Sequence, residues 1–377
     1  MKTPITFFTL LFLALTFWNC AELHSQQMRA GPRRYEQKQI HPRMLQSKLW
    51  LDLKARLDAS PIKYGSVNIS EDGQIFRLSL YMTPTRTVTH LNGIPLRQLD
   101  LSWTSVHDLS PLEGMPLIRF DISNNSFVRD LSPLQGMKLE YLDLSGTKIR
   151  DIGALTNAQL TSFSASSSQI SDLSPLAGQP LSYVDIRKTA VTNLEPIISP
   201  HLKVLQLDNC PVNDLSPLLK AHLDTLWIGN IANPDLTQLR GIKLKSLVLL
   251  GSQYTNAAPL RDMEFDSLWL RGTRISDLSP LRGLEFTKLD VRTRISDLSP
   301  LEGMKLKVLR VSASNLDLRP LAKMPLTTIS IWHIDEAKHV EVLRDIKTLT
   351  HIAAGGKPMP VADFWRLYDA GKIGKPR

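Results

Sequence analysis

The stretch that decides the fold is residues 96–116, Leu96-Arg-Gln-Leu-Asp-Leu-Ser-Trp-Thr-Ser-Val-His-Asp-Leu-Ser-Pro-Leu-Glu-Gly-Met-Pro116. Leucines at alternate positions 99 and 101 are typical of a strand that buries one face. The pair Ser110-Pro111 favours the start of a short helical turn, and Gly114 favours its end. The stretch therefore predicts one strand followed by one tight turn.

The same pattern recurs at intervals of 20 to 22 residues. Thirteen units share one register, and their first apolar positions are Ile75, Leu96, Leu117, Leu139, Leu160, Leu181, Leu202, Leu223, Leu244, Phe265, Phe286, Leu306 and Leu326. A short unit of this size cannot bury its apolar face alone, so successive units must stack. The spacing predicts a solenoid with one continuous parallel sheet.

The second half of each unit carries Asp-Leu-Ser-Pro-Leu-x-Gly-Met. We expect the serine to cap a single helical or 3₁₀ turn and the glycine to stop it. An aspartate or asparagine precedes the turn, and we expect it to bind loop amides rather than to act as an acid, a base or a metal ligand. This column contains Asp108, Asp130, Asp151, Asp172, Asn193, Asp214, Asp235, Asn256, Asp277 and Asp297.

The motif Asp-Leu-Ser-Pro-Leu-x-Gly-Met-(Pro/Lys)-Leu resembles the short leucine-rich repeats of bacteria. It is most similar to arrays of planctomycetes and related phyla, which often follow Ser/Thr kinase domains. Residues 342–349, 356–358 and 362–365 look like the closing cap of those arrays. The resemblance covers about residues 75–370 and implies a scaffold that binds protein or peptide. No glycine-rich phosphate loop, His-Arg-Asp or Asp-Phe-Gly of a kinase occurs.

The resemblance also implies the fold class, an α/β solenoid of the leucine-rich-repeat horseshoe type. Its parallel β-sheet is concave, its convex side consists of short 3₁₀ or single-turn segments, and both ends are capped. A small or amide residue three places after each strand is expected to form an internal ladder that satisfies turn backbone groups between neighbouring units. Those residues are Thr104, Asn125, Thr147, Ser168, Thr189, Cys210, Ser252, Thr273 and Ser314. Cys210 is thus predicted to be a ladder residue, and Ile231 to break the ladder.

The chain divides into five predicted segments. They are a signal peptide (1–22), a basic flexible segment (23–39), an N-terminal cap (40–74), the repeats (75–334) and a C-terminal helical cap (335–377). In the first cap the run 44–57 favours a helix. In the second, we expect Asp335 to cap an amphipathic helix whose Val340, Leu343 and Ile346 face inward, and residues 364–368 to end near Gly371.

One positive charge at Lys2 followed by an apolar run over residues 5–18 is typical of a secretory signal. The predicted location is therefore periplasmic, cell-surface or secreted. Cys20 stands where a bacterial lipoprotein carries its acylated cysteine, but Phe17-Trp18-Asn19 matches that signal poorly. Cleavage near Ala21 or Ser25 by the ordinary peptidase is the alternative, with no lipid anchor.

The net charge of +9 is concentrated outside the repeats. Residues 26–63 hold nine Lys/Arg against three Asp/Glu, whereas residues 64–334 hold 27 against 26. The basic character therefore does not predict nucleic-acid binding by the repeats. The leading segment is either a solvated arm or a contact for acidic polymers or lipid headgroups.

Side chains on the concave face are the candidate binding residues, and two columns describe them. The strand-centre column is Asp100, Asp121, Asp143, Ser164, Asp185, Gln206, Trp227, Val248, Trp269, Asp290, Arg310 and Ser330. Two residues further on come Ser102, Ser123, Ser145, Ser166, Arg187, Asp208, Gly229, Leu250, Arg271, Arg292, Ser312 and Trp332.

The predicted ligand-binding patch lies in the later units, because aromatic and arginine side chains dominate binding hot spots. It comprises Trp227, Val248, Leu250, Trp269, Arg271, Asp290 and Arg292, with Tyr141, Tyr183 and Arg187 as secondary candidates. The alternative is that the tryptophans drift neutrally, or pack under a cap or a partner subunit.

No nucleophile elbow, zinc signature or phosphate loop occurs in the chain, so neither catalysis nor a cofactor is predicted. His201 and His222 occupy one repeat position but have no carboxylate or cysteine support, so no metal site is predicted. Binding of protein or peptide is the first hypothesis for function. An envelope protein that contacts polysaccharide is the second, and an enzyme whose site is assembled across repeats is the third.

Overall fold

A computed structural model describes residues 48–59, 66–69, 75–231, 235–251, 253–293, 295–313 and 315–373. The chain divides into two units, residues 1–40 and 41–377, and all described residues belong to the second unit. The predicted signal peptide, Cys20, the basic segment, Ser252 and Ser314 lie outside the described residues.

In the described residues, sixteen strands form one sheet in chain order. They are β1 Ser66–Ile69, β2 Ile75–Ser79, β3 Gln98–Asp100, β4 Arg119–Asp121, β5 Tyr141–Asp143, β6 Ser162–Ser164, β7 Tyr183–Asp185, β8 Val204–Gln206, β9 Thr225–Gly229, β10 Ser246–Leu250, β11 Ser267–Trp269, β12 Lys288–Val291, β13 Val308–Ser312, β14 Thr328–Trp332, β15 His351–Ala354 and β16 Met359–Pro360. Strands β2 to β15 are parallel, and β1 and β16 pair antiparallel at the two ends.

The alternating leucines build the core. Leu99 is in register with Phe120 of the next strand, and Phe120 with Leu142 of the one after. These side chains are buried because every second residue of a strand points to the same side. The intervening residues point away from the core, to what we call the sheet face.

Short 3₁₀ helices occupy the opposite side of the solenoid. Those with the Ser-Pro-Leu sequence are Ser110–Leu112, Ser132–Leu134, Ser174–Leu176, Ser279–Leu281 and Ser299–Leu301, with a longer one at Ser216–Lys220. After the three-residue turns, glycines such as Gly114 (φ 71°) adopt the left-handed conformation that was expected to stop the turn. The predicted solenoid of parallel strands and 3₁₀ turns is confirmed.

The aspartate before each Ser-Pro-Leu turn, rather than the serine, supplies the cap. Asp108 accepts hydrogen bonds from the Ser110 N–H (2.8 Å) and the Ser110 hydroxyl (2.9 Å). The expected serine cap is therefore wrong, because Ser110 is already the first residue of the turn and its hydroxyl donates back to Asp108. These bonds to the ionised carboxylate lower the pKa of Asp108.

The internal ladder differs from the expectation, since most of its bonds stay within one unit. Thr104 Oγ1 donates to the carbonyl of Leu101, three residues earlier in the same turn (2.7 Å). Thr147 and Thr189 make the same bond to the carbonyls of their own turns. Some bonds do cross between units, as from Asn125 Nδ2 to Thr104 Oγ1 (3.2 Å) and from Thr293 Oγ1 to the carbonyl of Ile275 (2.8 Å).

Cys210 is one of the residues that does bridge units. Its thiol is buried and donates to the carbonyl of Ile186 in the preceding unit (2.9 Å), with Thr189 Oγ1 at 3.5 Å. Burial raises the pKa of the thiol. The predicted ladder role of Cys210 is confirmed.

Both ends of the solenoid carry a helix. Helix α1 spans Lys48–Asp58, within the region where a helix was expected, and buries Leu53 and Leu57. Arg56 Nη1 fastens α1 to the first repeats by donating to the carbonyl of Asn92 (2.9 Å). Helix α2 spans Val361–Asp369 and buries Phe364 and Trp365.

The amphipathic helix expected after Asp335 is absent in that form. Asp335 lies inside a 3₁₀ turn, Ile334–Glu336, and a second 3₁₀ helix spans Val340–Arg344. Val340, Leu343 and Ile346 do face inward. Only six residues separate this 3₁₀ helix from strand β15, a fourteenth parallel rung, so no long helix fits there.

Candidate functional site

The strand-centre column forms one continuous row on the sheet face. Asp100 is in register with Asp121, Asp121 with Asp143, and so on to Ser330. Neighbouring strands lie about 4.8 Å apart, so side chains on adjacent rungs touch. The order of residues along the row that the spacing predicted is confirmed.

The centre of the later units is apolar. Val248 lies between Trp227 and Trp269 in register, and Leu250 continues the surface beside Gly229. Both indoles and Leu250 are half-buried, whereas Val248 is 5% exposed. The structure thus brings together four of the seven patch residues as one apolar strip across β9, β10 and β11.

Asp290 pairs with Arg292 of the patch and with Arg310, which lies outside it. It is 2% exposed and receives two hydrogen bonds from Arg292, from Nε to Oδ1 (2.8 Å) and from Nη2 to Oδ2 (2.7 Å). Arg310 Nη1 lies 3.7 Å from the same carboxylate. Asp290 is therefore a positioning residue for two arginines rather than a surface contact.

Those two arginines lie against tryptophan rings at either end of the network. The Arg310 Cζ is 5.1 Å from the ring centroid of Trp269, and the Arg292 Cζ is 4.4 Å from that of Trp332. Arg310 and Trp332 were not among the predicted patch residues. The register places Arg310 next to Asp290, and it places Trp332 diagonal to Arg310 on the following strand. Both residues could therefore have been added to the patch from the two columns.

Arg271 is the remaining cation of the patch. It is exposed, and no ion pair or hydrogen bond of its guanidinium occurs among the described residues. Partial burial and the nearby Arg292 lower the pKa of Arg271, although it stays charged.

The first half of the row is acidic. Asp100, Asp121 and Asp143 lie on adjacent rungs, and each accepts the N–H of the serine two residues on. Burial, followed by repulsion from Asp121, raises the pKa of Asp143 to about 7. Burial also raises the pKa of Asp121. This half has a negative charge that depends on pH near neutrality.

The secondary candidates are held by neighbours on the sheet. Arg187 donates two hydrogen bonds to Asp185, at 2.9 and 2.7 Å. The Arg119 Cζ lies 4.2 Å from the ring centroid of Tyr141, and Tyr183 receives a hydrogen bond from Gln206 (3.4 Å). None of the three is part of the apolar strip.

Within the described part of the chain, no three His, Cys, Asp or Glu side chains are grouped closely enough to hold a metal ion. His201 and His222 are both exposed. In the same residues, no helix is long and apolar enough to cross a membrane.

Comparison with known proteins supports the repeat assignment. A family model described as Leucine Rich repeat matches residues 137–156. No curated protein matches the chain.

Two solved structures resemble the chain. The functional domain of InlJ from Listeria monocytogenes, which includes a cysteine ladder, is 22% identical with a TM-score of 0.43, over 63% of this chain and 54% of that one. Internalin C2 from Listeria monocytogenes is 24% identical with a TM-score of 0.26, over 64% of this chain and 81% of that one. The chain therefore spans about half the length of the InlJ domain.

Proposed function

We propose that this protein binds a segment of another protein on its sheet face and catalyses no reaction. The observation that carries the proposal is the apolar strip, with Trp227 and Trp269 half-buried in register on either side of Val248. Large aromatic side chains displayed on an otherwise polar surface are typical of binding hot spots.

The neighbourhood of the strip supports a polypeptide as ligand. The paired residues Asp290, Arg292 and Arg310 hold the indole of Trp269 in place before a ligand arrives, which reduces the entropy lost on binding. Beside the strip, Arg271 offers an unpaired guanidinium for a carboxylate. The matching ligand carries apolar side chains flanked by an acidic one.

The test uses random 12-residue peptides displayed on phage and selected on the full chain. Enriched peptides are synthesised and their Kd is measured by titration calorimetry. We expect Trp227→Ala and Trp269→Ala together to raise the Kd at least a hundredfold, because each buried indole contributes about 2 kcal/mol or more.

The matched control is Trp103→Asn. Trp103 is 56% exposed and lies in a turn outside the row, with a φ of 57° that asparagine tolerates. The substitution removes an indole that is not part of the strip, so the Kd should stay within twofold of the wild-type value. An unchanged Kd in the double variant, or no enriched peptide at all, would contradict the proposal.

The polysaccharide hypothesis remains the second candidate, because indole rings also stack on sugars. Retention of the wild-type protein on cell-wall polymer, lost in the same double variant, would favour it over a peptide ligand. We further propose export, on the basis of residues 1–22 alone. The test is the mass and the location of the mature protein after cell fractionation, and the mass also reports whether Cys20 carries a lipid.

A further inference from the structure

Asp208 is a buried carboxylate on the sheet face, and one of its two oxygens lacks a donor among the described residues. The residue is 5% exposed, and its Oδ1 has no hydrogen-bond partner among the described residues. The neighbouring cation, Arg187, gives two hydrogen bonds to Asp185 instead. A buried carboxylate oxygen without a donor costs free energy, so this position is incomplete in the free protein.

Gly229 on the next rung leaves the space into which this oxygen projects. A Cβ at Gly229 would lie 2.3 Å from Asp208 Oδ1 and 3.0 Å from the Cβ of Leu250. Gly229 does not have a positive φ, so close approach rather than backbone strain requires the glycine. The carboxylate of Asp208 therefore fills the space over Gly229, at the boundary between the polar half of the sheet face and the apolar strip.

A second unpaired acceptor belongs to Gln206, two residues before Asp208. Gln206 is 9% exposed, and its Nε2 donates to Tyr183 while its Oε1 has no partner in the described residues. Gln206 is in register with Trp227, whose indole forms the first part of the strip. Two acceptors next to an indole face suit a cation that has several N–H donors.

The local charge also favours a cation. Asp185 and Asp208 contribute two carboxylates, and Arg187 contributes one guanidinium. Arg187 donates hydrogen bonds from Nε and Nη2 to Asp185, and its charge also acts on Asp208, so the three side chains together leave one negative charge when both carboxylates are ionised. A neutral or acidic ligand group would leave this charge without a partner.

We propose that Asp208, Gln206 and Trp227 form a subsite for one lysine or arginine side chain of the segment that the sheet face binds. The inference rests on the proposed function. On binding, the Asp208 side chain turns toward the ligand and exchanges its unpaired oxygen for a charge-assisted hydrogen bond. With Arg271 two rungs beyond Gly229, the ligand then has a basic residue, apolar residues and an acidic residue in that order across β8 to β11.

The experiment uses peptides selected on the full chain as above, each also made with its basic residue replaced by norleucine. We expect enriched peptides to share one lysine or arginine. Asp208→Asn should raise the Kd of such a peptide at least tenfold and leave the Kd of its norleucine version unchanged. Gly229→Ala should act in the same direction, since its methyl group displaces the carboxylate.

Asp224→Asn is the matched control, because it removes the same charge from a carboxylate that pairs with Lys245 outside the row. Thermal unfolding of each variant verifies that it is folded. Enriched peptides without a basic residue, or an unchanged Kd in Asp208→Asn, would overturn the subsite. Trp269→Ala distinguishes the proposed peptide binding from the subsite. If Trp269→Ala weakens peptide binding while Asp208→Asn does not, the proposed function stands and the subsite is wrong. If neither variant weakens binding, both are wrong.

Discussion

Aspartates occur in two columns of this molecule, one in the 3₁₀ turns and one on the sheet face. In the turns, Asp172 is exposed and accepts two hydrogen bonds from Ser174, which lowers its pKa. On the sheet face, burial raises the pKa of Asp143 to about 7. Exposure and two hydrogen-bond donors stabilise the aspartate anion in the turns, whereas burial disfavours it on the sheet face.

Asp143 makes the stability of the protein depend on pH. Its folded-state pKa of about 7 lies above the ordinary value of 3.8, so the folded protein keeps a proton that the unfolded chain loses. The stabilisation from this proton is fully present below pH 3.8 and is lost as the pH rises to about 7. We therefore expect Asp143→Asn to stabilise the protein at pH 8, by about 1–3 kcal/mol, and to change little at pH 4.

Urea unfolding at the two pH values measures this difference. Asp130→Asn is the control, since Asp130 is an exposed turn aspartate whose pKa is lowered. It should destabilise at pH 8 by weakening the cap of Ser132. Equal effects of Asp143→Asn on the free energy of unfolding at pH 4 and pH 8 would show that folding does not raise the pKa of Asp143.

At the scale of the repeat unit, the ladder shows how one unit replaces a missing bond. Ile231 occupies the ladder position of its unit and is buried, so it cannot close the turn with a hydroxyl. The hydroxyl of Tyr254 in the next unit donates to the carbonyl of Ile228 instead (3.2 Å). That carbonyl is three residues before Ile231, the position that Leu101 has relative to Thr104.

Tyr254→Phe should therefore lower the free energy of unfolding by about 1–3 kcal/mol, because it leaves the buried carbonyl of Ile228 unpaired. Ile231→Thr in the same chain should recover part of this loss by supplying the local hydroxyl. Chemical unfolding of the two single variants and the double variant measures the coupling. Simple additivity would show that Tyr254 acts through packing alone.

In a stack of repeats each unit contacts only its neighbours. The contacts that cover the two ends of the solenoid therefore contribute to its stability. At the C-terminal end, Phe364 of α2 is fully buried and stacks on Tyr368, with ring centroids 5.7 Å apart. Arg344 covers Trp365, with its Cζ 3.9 Å from the ring centroid. These contacts close the core behind β15.

Phe364→Ala should cost about 3–5 kcal/mol locally and loosen the end units first. Hydrogen exchange should accelerate in β14 and β15, and remain unchanged in β5 to β8. Arg366→Ala is the control, because Arg366 is exposed on the same helix and pairs only with Asp363 within α2. Uniform acceleration along the chain would mean that the solenoid unfolds as a single cooperative unit.

Much of the fold was predictable from the repeat, and the candidate site was predictable in part. Register followed from the spacing, so the adjacency of Trp227, Val248 and Trp269 was expected and is observed. The prediction of an α-helix after Asp335 was wrong, because the spacing of apolar residues alone does not distinguish a short 3₁₀ helix from an α-helix. The strand β15 was missed because its unit lacks the repeat motif.

The sequence by itself determined the solenoid, the order of residues along the sheet face and the buried leucines. Each unit repeats the same backbone hydrogen bonds and the same alternation, so local pattern is sufficient there. Only the tertiary structure decided that Asp290 is buried between Arg292 and Arg310, and that one oxygen of Asp208 has no donor among the described residues. Long polar side chains on an open face choose among partners on both adjacent rungs, and that choice depends on rotamers, burial and charge across units rather than on spacing along the chain.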